Sequence, residues 1–420
     1  MQYLERHAEP EIALVDHLHG RYDHVLVVPA YDEDAAFLEG LWPAASRPTL
    51  CIVVVNASLR DSADVRARTV RSFDELAERA RAKPLAAGGR FGSISNEMDV
   101  LLVDRARRLL PLREGVGLAR KIGCDVALAL HARGRIAHPW IHMTDADARL
   151  PAGYFDATTN GAVALAYPFV HAAGDTAEID RAHADYEVHL RYYVLGLAWA
   201  GSRYAHHSIG STIAVHTAAY AAVRGVPKRQ AGEDFYLMNK LRKLGAIAVP
   251  DVEPIVIRGR RSARVPFGTG RAVLTILDEG REQHTYDPRC FSLLRSWLTA
   301  IDGADPMDAV EPEVARVLEQ LGARDALVKI PASQRLRRRH EWFDGFRTLK
   351  LIHGLRDAGL PSLPWREALA RAPFVPDVFD DPFAQCRALA ELERLRNTTS
   401  ASMPSHATER VTASNQPAGA

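Results

Sequence analysis

The chain has 420 residues and a mass of 46.3 kDa, enough for one large domain or two ordinary ones around a substantial core. It is 47% hydrophobic and 25% charged, the composition of a globular protein. Its 53 basic residues balance 52 acidic ones, a formal charge of +1 that argues against a dedicated nucleic-acid or other polyanion binder. Of the basic residues 46 are Arg, which reads mainly as compositional bias in an Ala- and Arg-rich chain.

The start, MQYLERHAEPEIALVD, has early acids and no apolar core, so it is not a secretory signal. Residues 1–22 read as a helical lead-in. His24–Val28 and Leu50–Val55 are continuous, β-branched runs of strand length, the pattern of strands covered on both faces in a parallel sheet. Residues 33–42 between them form a short helical stretch that Pro43 stops. Residues 61–81 are amphipathic, with Asp61 or Ser62 placed to cap a helix. Further strand-like runs fall at Val100–Val103, Trp140–Met143, Ala162–Tyr167 and Ile213–Val215, with helices over 115–132 and 177–200. Alternation at this spacing predicts an α/β domain. After residue 271 the pattern is helical, and 397–420 is too poor in large apolar side chains to build a core, so a disordered tail is expected there.

The four cysteines, Cys51, Cys124, Cys290 and Cys386, show no CxxC spacing, against a zinc site or a disulfide framework. The apolar stretch Tyr192–Val223 is broken by Arg203, His206 and His207 and cannot supply a spanning helix. A soluble chain in a reducing cytoplasm, without an integral membrane segment, is the expectation.

Chemistry gathers at a few places. The strand Trp140–Met143 runs into Thr144-Asp145-Ala146-Asp147, where carboxylates at i and i+2 can face one crevice. A hard divalent cation bridging a diphosphate needs one or two such carboxylates, phosphate oxygens and water completing its shell. A second Asp-x-Asp, Asp32-Glu33-Asp34, shows that the pattern alone serves helix caps and turns equally well. Glu233-Asp234 opens a helical run after Gly232; such acids suit the macrodipole, and one can act as a general base. Residues 258–271 hold five Arg interleaved with Gly, either a solvated basic loop or one that closes over a pyrophosphate. Arg335–Arg339 reads mostly as a solvated face. The segment Gly115–Gly123 lacks both GxGxxG and the Walker Lys-Ser/Thr pattern, so neither dinucleotide binding nor P-loop hydrolysis is supported.

In order, these pieces resemble the inverting glycosyltransferases of family 2, with the GT-A fold. Val27-Val28-Pro29-Ala30-Tyr31-Asp32-Glu33 is similar to that family's first strand and its Pro-x-Tyr-Asn-Glu turn, with Asp for Asn. Asn56-Ala57-Ser58 stands where the family has Asp-Gly-Ser, and Ala119-Arg120-Lys121-Ile122-Gly123 where it has Ala-Arg-Asn-x-Gly. The resemblance spans roughly residues 23–271. It implies a Rossmann-like, mostly parallel sheet flanked by helices over 23–271, followed by a helical region, 272–396, with no family motif.

It also implies a function: transfer of a sugar from a nucleotide-diphosphate donor to an acceptor hydroxyl. Asp234 would be the catalytic base, with Glu233 orienting it or the acceptor. Mg²⁺ or Mn²⁺ would be held through Asp147 and Asp145. Donor contacts are implied at Pro29, Ala30, Tyr31, Glu33, Asn56, Arg120, Lys121, Asp145, Arg261 and Arg264. Three alternatives stay open: a retaining transferase of the same fold, a sugar nucleotidyltransferase, and a catalytically silent nucleotide-sugar-binding protein. The helical region is a candidate for acceptor choice or homo-oligomer formation.

Overall fold

The two apolar runs become β1 (His24–Ala30) and β2 (Thr49–Ser58), buried along their whole length. A computed structural model describes residues 2–41, 45, 47–85, 88–157, 161–172, 174, 176–259, 269–280 and 283–402. Strand alternation divides each run between two layers. Val25, Val27, Leu50, Ile52 and Val54 face one core, while Leu26, Val28, Cys51, Val53 and Val55 face the other.

The first layer is covered by α1 (Gln2–Arg6) and α3 (Val116–Ala132). The second is covered by α2 (Ala63–Arg79), whose N-cap Ser62 Oγ accepts from the Val65 amide at 3.3 Å. Helix α3 is buried on nearly every side, as expected of a helix pressed between a sheet and further chain. Gly123 is what lets it lie so close: a Cβ there would come within 2.4 Å of Val27 Cγ1.

The main sheet adds β3 (Lys83–Pro84), β4 (Gly89–Ser93), β5 (Met98–Leu110), β6 (Trp140–Met143), β8 (Ala164–Ala166), β10 (Ile213–His216) and β11 (Ile247–Ala248). Its nine strands run in the order β11-β8-β10-β6-β1-β2-β5-β4-β3. The pairings orient all but β10 and β4 in one direction, so the sheet is mostly parallel. From β1 the chain proceeds to β2 and β5 on one side, then α3 returns it to β6 on the other. The carboxyl ends of β1 and β6 therefore flank a topological switch point, where open α/β sheets place their ligands. A small second sheet of β7 (Ala148–Arg149), β12 (Ile255–Arg258) and β9 (Phe169–Ala172) lies beyond it.

The stretch 33–42 is a 3-10 helix over Ala35–Gly40, and the 140–143 strand has the expected bounds. The segment Asp125–Pro139, which looks long as a connection, is mostly the second half of α3.

Helix α4 (Ala177–Trp199) departs from the expected organisation. Its Val188, Tyr192 and Leu195 share a core with Phe291, Trp297, Leu351 and Trp365 of the C-terminal helices. Packing thus crosses the expected boundary at residue 271. The last helix, Pro382–Ser402, lies along α4 and continues through 397–402, the first residues expected to be disordered. Thr398 there donates its hydroxyl back to the Leu395 carbonyl at 2.8 Å, and residues 403–420 lie outside the described residues. Arg339 corrects the solvated reading of 335–339: it is buried and donates to the Ile301 and Gly303 carbonyls. No helix among the described residues is long and apolar enough to cross a membrane.

Candidate functional site at the carboxyl edge of the sheet

Arg120 sits in the first turns of α3 with its side chain only 2% exposed. Its Nη2 donates to Asp145 Oδ1 at 2.7 Å, its Nη1 to the Gly210 carbonyl at 2.9 Å, and its Nε to Glu233 Oε1 at 3.3 Å. One guanidinium thus gathers three chain segments: the end of β6, the turn before β10, and the start of α6 (Glu233–Leu241), which follows the short α5 (Thr217–Ala222). Burial alone would favour losing its proton. The charges of Asp145 and Glu233 outweigh that and hold it cationic.

The acids respond differently. Glu233 is buried, and removal from water raises its carboxyl although Arg120 pulls the other way. Asp234 is pushed up to about 7, first by burial and then by the neighbouring Glu233 charge. The local backbone explains the placement: Gly232 at φ 69° turns the chain so that both acids open α6, and Asp234 Oδ1 accepts from the Phe235 amide at 2.7 Å. Residue 186, which no sequence pattern marked, belongs here too. Helix α4 brings Tyr186 near enough for the Asp234 charge to add to burial in raising its phenol to about 12.

The end of β1 supplies the opposite lip. Asp32 adopts φ 51°, a left-handed conformation that Asp and Asn tolerate best among residues with a Cβ. Arg68 fixes it with two hydrogen bonds of 2.8 Å, and Tyr31 donates its hydroxyl to Asp61 at 2.9 Å. Pro29 and Ala30 are buried in β1, and Glu33 is partly exposed in the turn. Asn56 is buried, and its amide nitrogen donates to the Ala30 and Val54 carbonyls at 3.1 Å each. It braces the ends of β1 and β2, leaving little of it to meet a nucleotide.

Lys121 corrects the expectation of a donor contact. One residue on from Arg120 along a helix is a turn of about 100°, and its ammonium points into the α1 side. There it donates to Asp125 at 2.6 Å and to the Tyr3 hydroxyl and His7 carbonyl at 2.8 Å each. Arg261 and Arg264 lie outside the described residues, while Arg258 ends β12 with its amide donating to the Asp147 carbonyl at 2.9 Å. His207 is tied to Glu393 at 2.8 Å, part of a buried chain in which Arg191 bridges Glu393 and Glu187, and Glu187 bonds His171.

Among the described residues no group of three or more His, Cys, Asp or Glu side chains could cage a metal ion. The donor set is a different one: Asp145 keeps Oδ2 outside its Arg120 bond, and Asp147 follows two residues later, partly exposed. Two carboxylates suit Mg²⁺ or Mn²⁺ bound chiefly through substrate phosphates and water. A cavity of about 140 Å³ is walled by Ile209, Tyr193, Val194, Leu197, His206 and Phe235, the residue that follows Asp234 in the chain. None of its lining residues is Asp, Glu, Lys or Arg.

Compared with known proteins, the chain matches no protein-family model and no curated protein.

Proposed function

We propose that the chain is a metal-dependent glycosyltransferase of the GT-A type, moving a sugar from a nucleotide-diphosphate donor to an acceptor hydroxyl. The observation that carries this reading is the convergence of Asp145, Glu233 and Asp234 around buried Arg120 at the switch point. A carboxyl raised toward neutrality is a proton acceptor matched to working pH. Asp234 takes the proton of the acceptor hydroxyl as that oxygen attacks the anomeric carbon, and the nucleoside diphosphate departs on the opposite face. Inversion follows from that in-line geometry. Glu233, held by Arg120, fixes the start of α6 and so the direction of the Asp234 carboxyl. Asp147 and Asp145 would hold Mg²⁺ or Mn²⁺, which when bound would supply Lewis-acid stabilisation of the leaving diphosphate. The uncharged cavity beside Phe235 receives the acceptor.

A hydrolysis and transfer screen over nucleotide sugars with Mn²⁺, followed by NMR of the product anomer, tests this. Sugar release with inverted configuration supports it. Retained configuration moves the reading to a retaining enzyme, and pyrophosphate release from a nucleoside triphosphate moves it to a nucleotidyltransferase. Binding of nucleotide without turnover of any donor would favour the silent binding protein.

A further inference from the structure

The cavity beside Phe235 is built from three helices and a loop. On α4, Leu190, Tyr193, Val194 and Leu197 fall at i, i+3, i+4 and i+7, one stripe of the helix. On α6, Phe235 and Asn239 stand one turn apart, and the helix Gly345–Asp357 adds Gly345 and Thr348. The loop from Tyr204 to Ile209 closes the remaining side. Two walls are direct chain neighbours of the acid site. Phe235 follows Asp234, and Ile209 precedes Gly210, whose carbonyl accepts from Arg120 Nη1 at 2.9 Å. Neighbouring Cα atoms are about 3.8 Å apart, so the cavity begins where the Arg120 cluster ends.

The polar side chains of this wall are committed elsewhere. Asn239 Nδ2 donates to Asp344 at 3.2 Å, and its Oδ1 accepts from the Gly345 amide at 2.9 Å. Thr348 donates its hydroxyl to the Asp344 carbonyl at 3.0 Å. His207 Nε2 lies 2.8 Å from Glu393, and His206 Nδ1 lies 3.2 Å from the His207 carbonyl. Among the described residues the wall has no carboxylate or cation with which to grip the hydroxyls of a sugar ring, and its one amide is engaged at both ends. What it offers a guest is the surface of Tyr193, Tyr204 and Phe235 with the alkyl groups of Val194, Leu197 and Ile209. The volume of about 140 Å³ suits one six-membered aromatic ring, since an apolar void of about 150 Å³ holds benzene.

We propose that this cavity selects the acceptor as a small aromatic alcohol, its ring held here and its hydroxyl presented to Asp234. The ring site rests on the cavity alone, and the acceptor role rests on the transferase reading. Aromatic packing against Tyr193, Tyr204 and Phe235 adds to the area buried. In the step, the hydroxyl oxygen bonds to the anomeric carbon and its proton passes to Asp234. The bond from that carbon to the diphosphate oxygen breaks, its electron pair leaving with the nucleoside diphosphate. Gly345 and Thr348 bring the carboxyl-terminal helices into acceptor choice.

Benzyl alcohol and glycerol, one with a ring and one without, are the probes. The full chain carrying ¹³C-labelled Ile and Leu methyl groups is titrated with each, the Ile209 and Leu197 signals being assigned through Ile209→Val and Leu197→Met. Expected are saturable shifts at both residues with benzyl alcohol and binding at least tenfold weaker with glycerol. Ring binding is read on the unsubstituted protein without a donor, so neither a poorly folding variant nor the fate of the transferase reading decides it. Absence of saturable shifts at Ile209 and Leu197 overturns the ring site, and equal binding of glycerol overturns the preference for a ring. Benzyl alcohol is then supplied with each nucleotide sugar that the protein hydrolyses. Formation of a benzyl glycoside supports the acceptor role, and hydrolysis of a donor without any benzyl glycoside overturns it. Turnover of no donor at all sinks the transferase reading and the acceptor role with it, the ring site alone standing.

Discussion

Arg120 Nη2 stands 2.7 Å from Asp145 Oδ1 while Nε of the same guanidinium stands 3.3 Å from Glu233 Oε1, 113 residues further along the chain. Two acids of the site, Asp145 and Glu233, are therefore held by one buried cation. Replacing it with an apolar residue strands Glu233 away from water and leaves the partly exposed Asp145 without its cation. Breaking a buried pair in this way costs about 3–5 kcal/mol. Arg120→Met should lose that much in urea unfolding and should also abolish transfer, whereas Asp145→Asn should cost less stability because Asp145 is a third exposed.

Asp234 predicts a coupling between pH, activity and stability. Its carboxyl is raised from 3.8 to about 7, so between those values the folded protein keeps a proton that the unfolded chain has released. Stability must then fall as pH rises through that window. Asp234→Asn removes the penalty: its melting temperature should exceed that of the unsubstituted protein by a few degrees at pH 8, with the difference vanishing toward pH 4. Transfer should run the other way, rising with pH through about 7 in the unsubstituted protein and being absent in Asp234→Asn.

Asp147 and Asp145 should separate in metal dependence. Asp145 is shared with Arg120, while Asp147 is not among that guanidinium's partners. Calorimetry with a nucleoside diphosphate, with and without Mn²⁺, should show the Mn²⁺-dependent gain in affinity lost in Asp147→Ala and only reduced in Asp145→Asn. Loss of the gain in Asp145→Asn alone would reverse the assignment.

Lys121→Met should leave that same nucleotide titration unchanged while lowering stability by about 3–5 kcal/mol, since Asp125 is buried and would lose its cation. A changed nucleotide affinity at unaltered stability would return Lys121 to the donor site.

Much of this was legible in the chain because it rests on local pattern. The runs 25–28 and 50–55 alternate into two cores because every position is apolar, and the turn from Met143 to Asp147 marks a strand end by chemistry alone. Arg120 and Asp145 could be named from motif order, but their contact could not, since it depends on α3 folding back across β1. Lys121 was misplaced for a related reason: a motif read as a string ignores that neighbouring helical residues face different ways. Tyr186 and the Arg191–Glu393 pair join segments up to 202 residues apart, and no periodicity in either segment signals the other.

Glu393 carries a consequence for how this chain can be divided. It reaches from the final helix to Arg191 at 2.6 Å and to His207 at 2.8 Å, and His207 lies three residues before the Gly210 carbonyl that Arg120 binds. Trimming the chain to its sheet-bearing portion would leave Arg191 facing Glu187 without its second acid and would free the loop that shapes the crevice. The carboxyl-terminal helix is thus a strut of the site, and a shortened version of the protein would be expected to lose the crevice's shape before it lost its sheet.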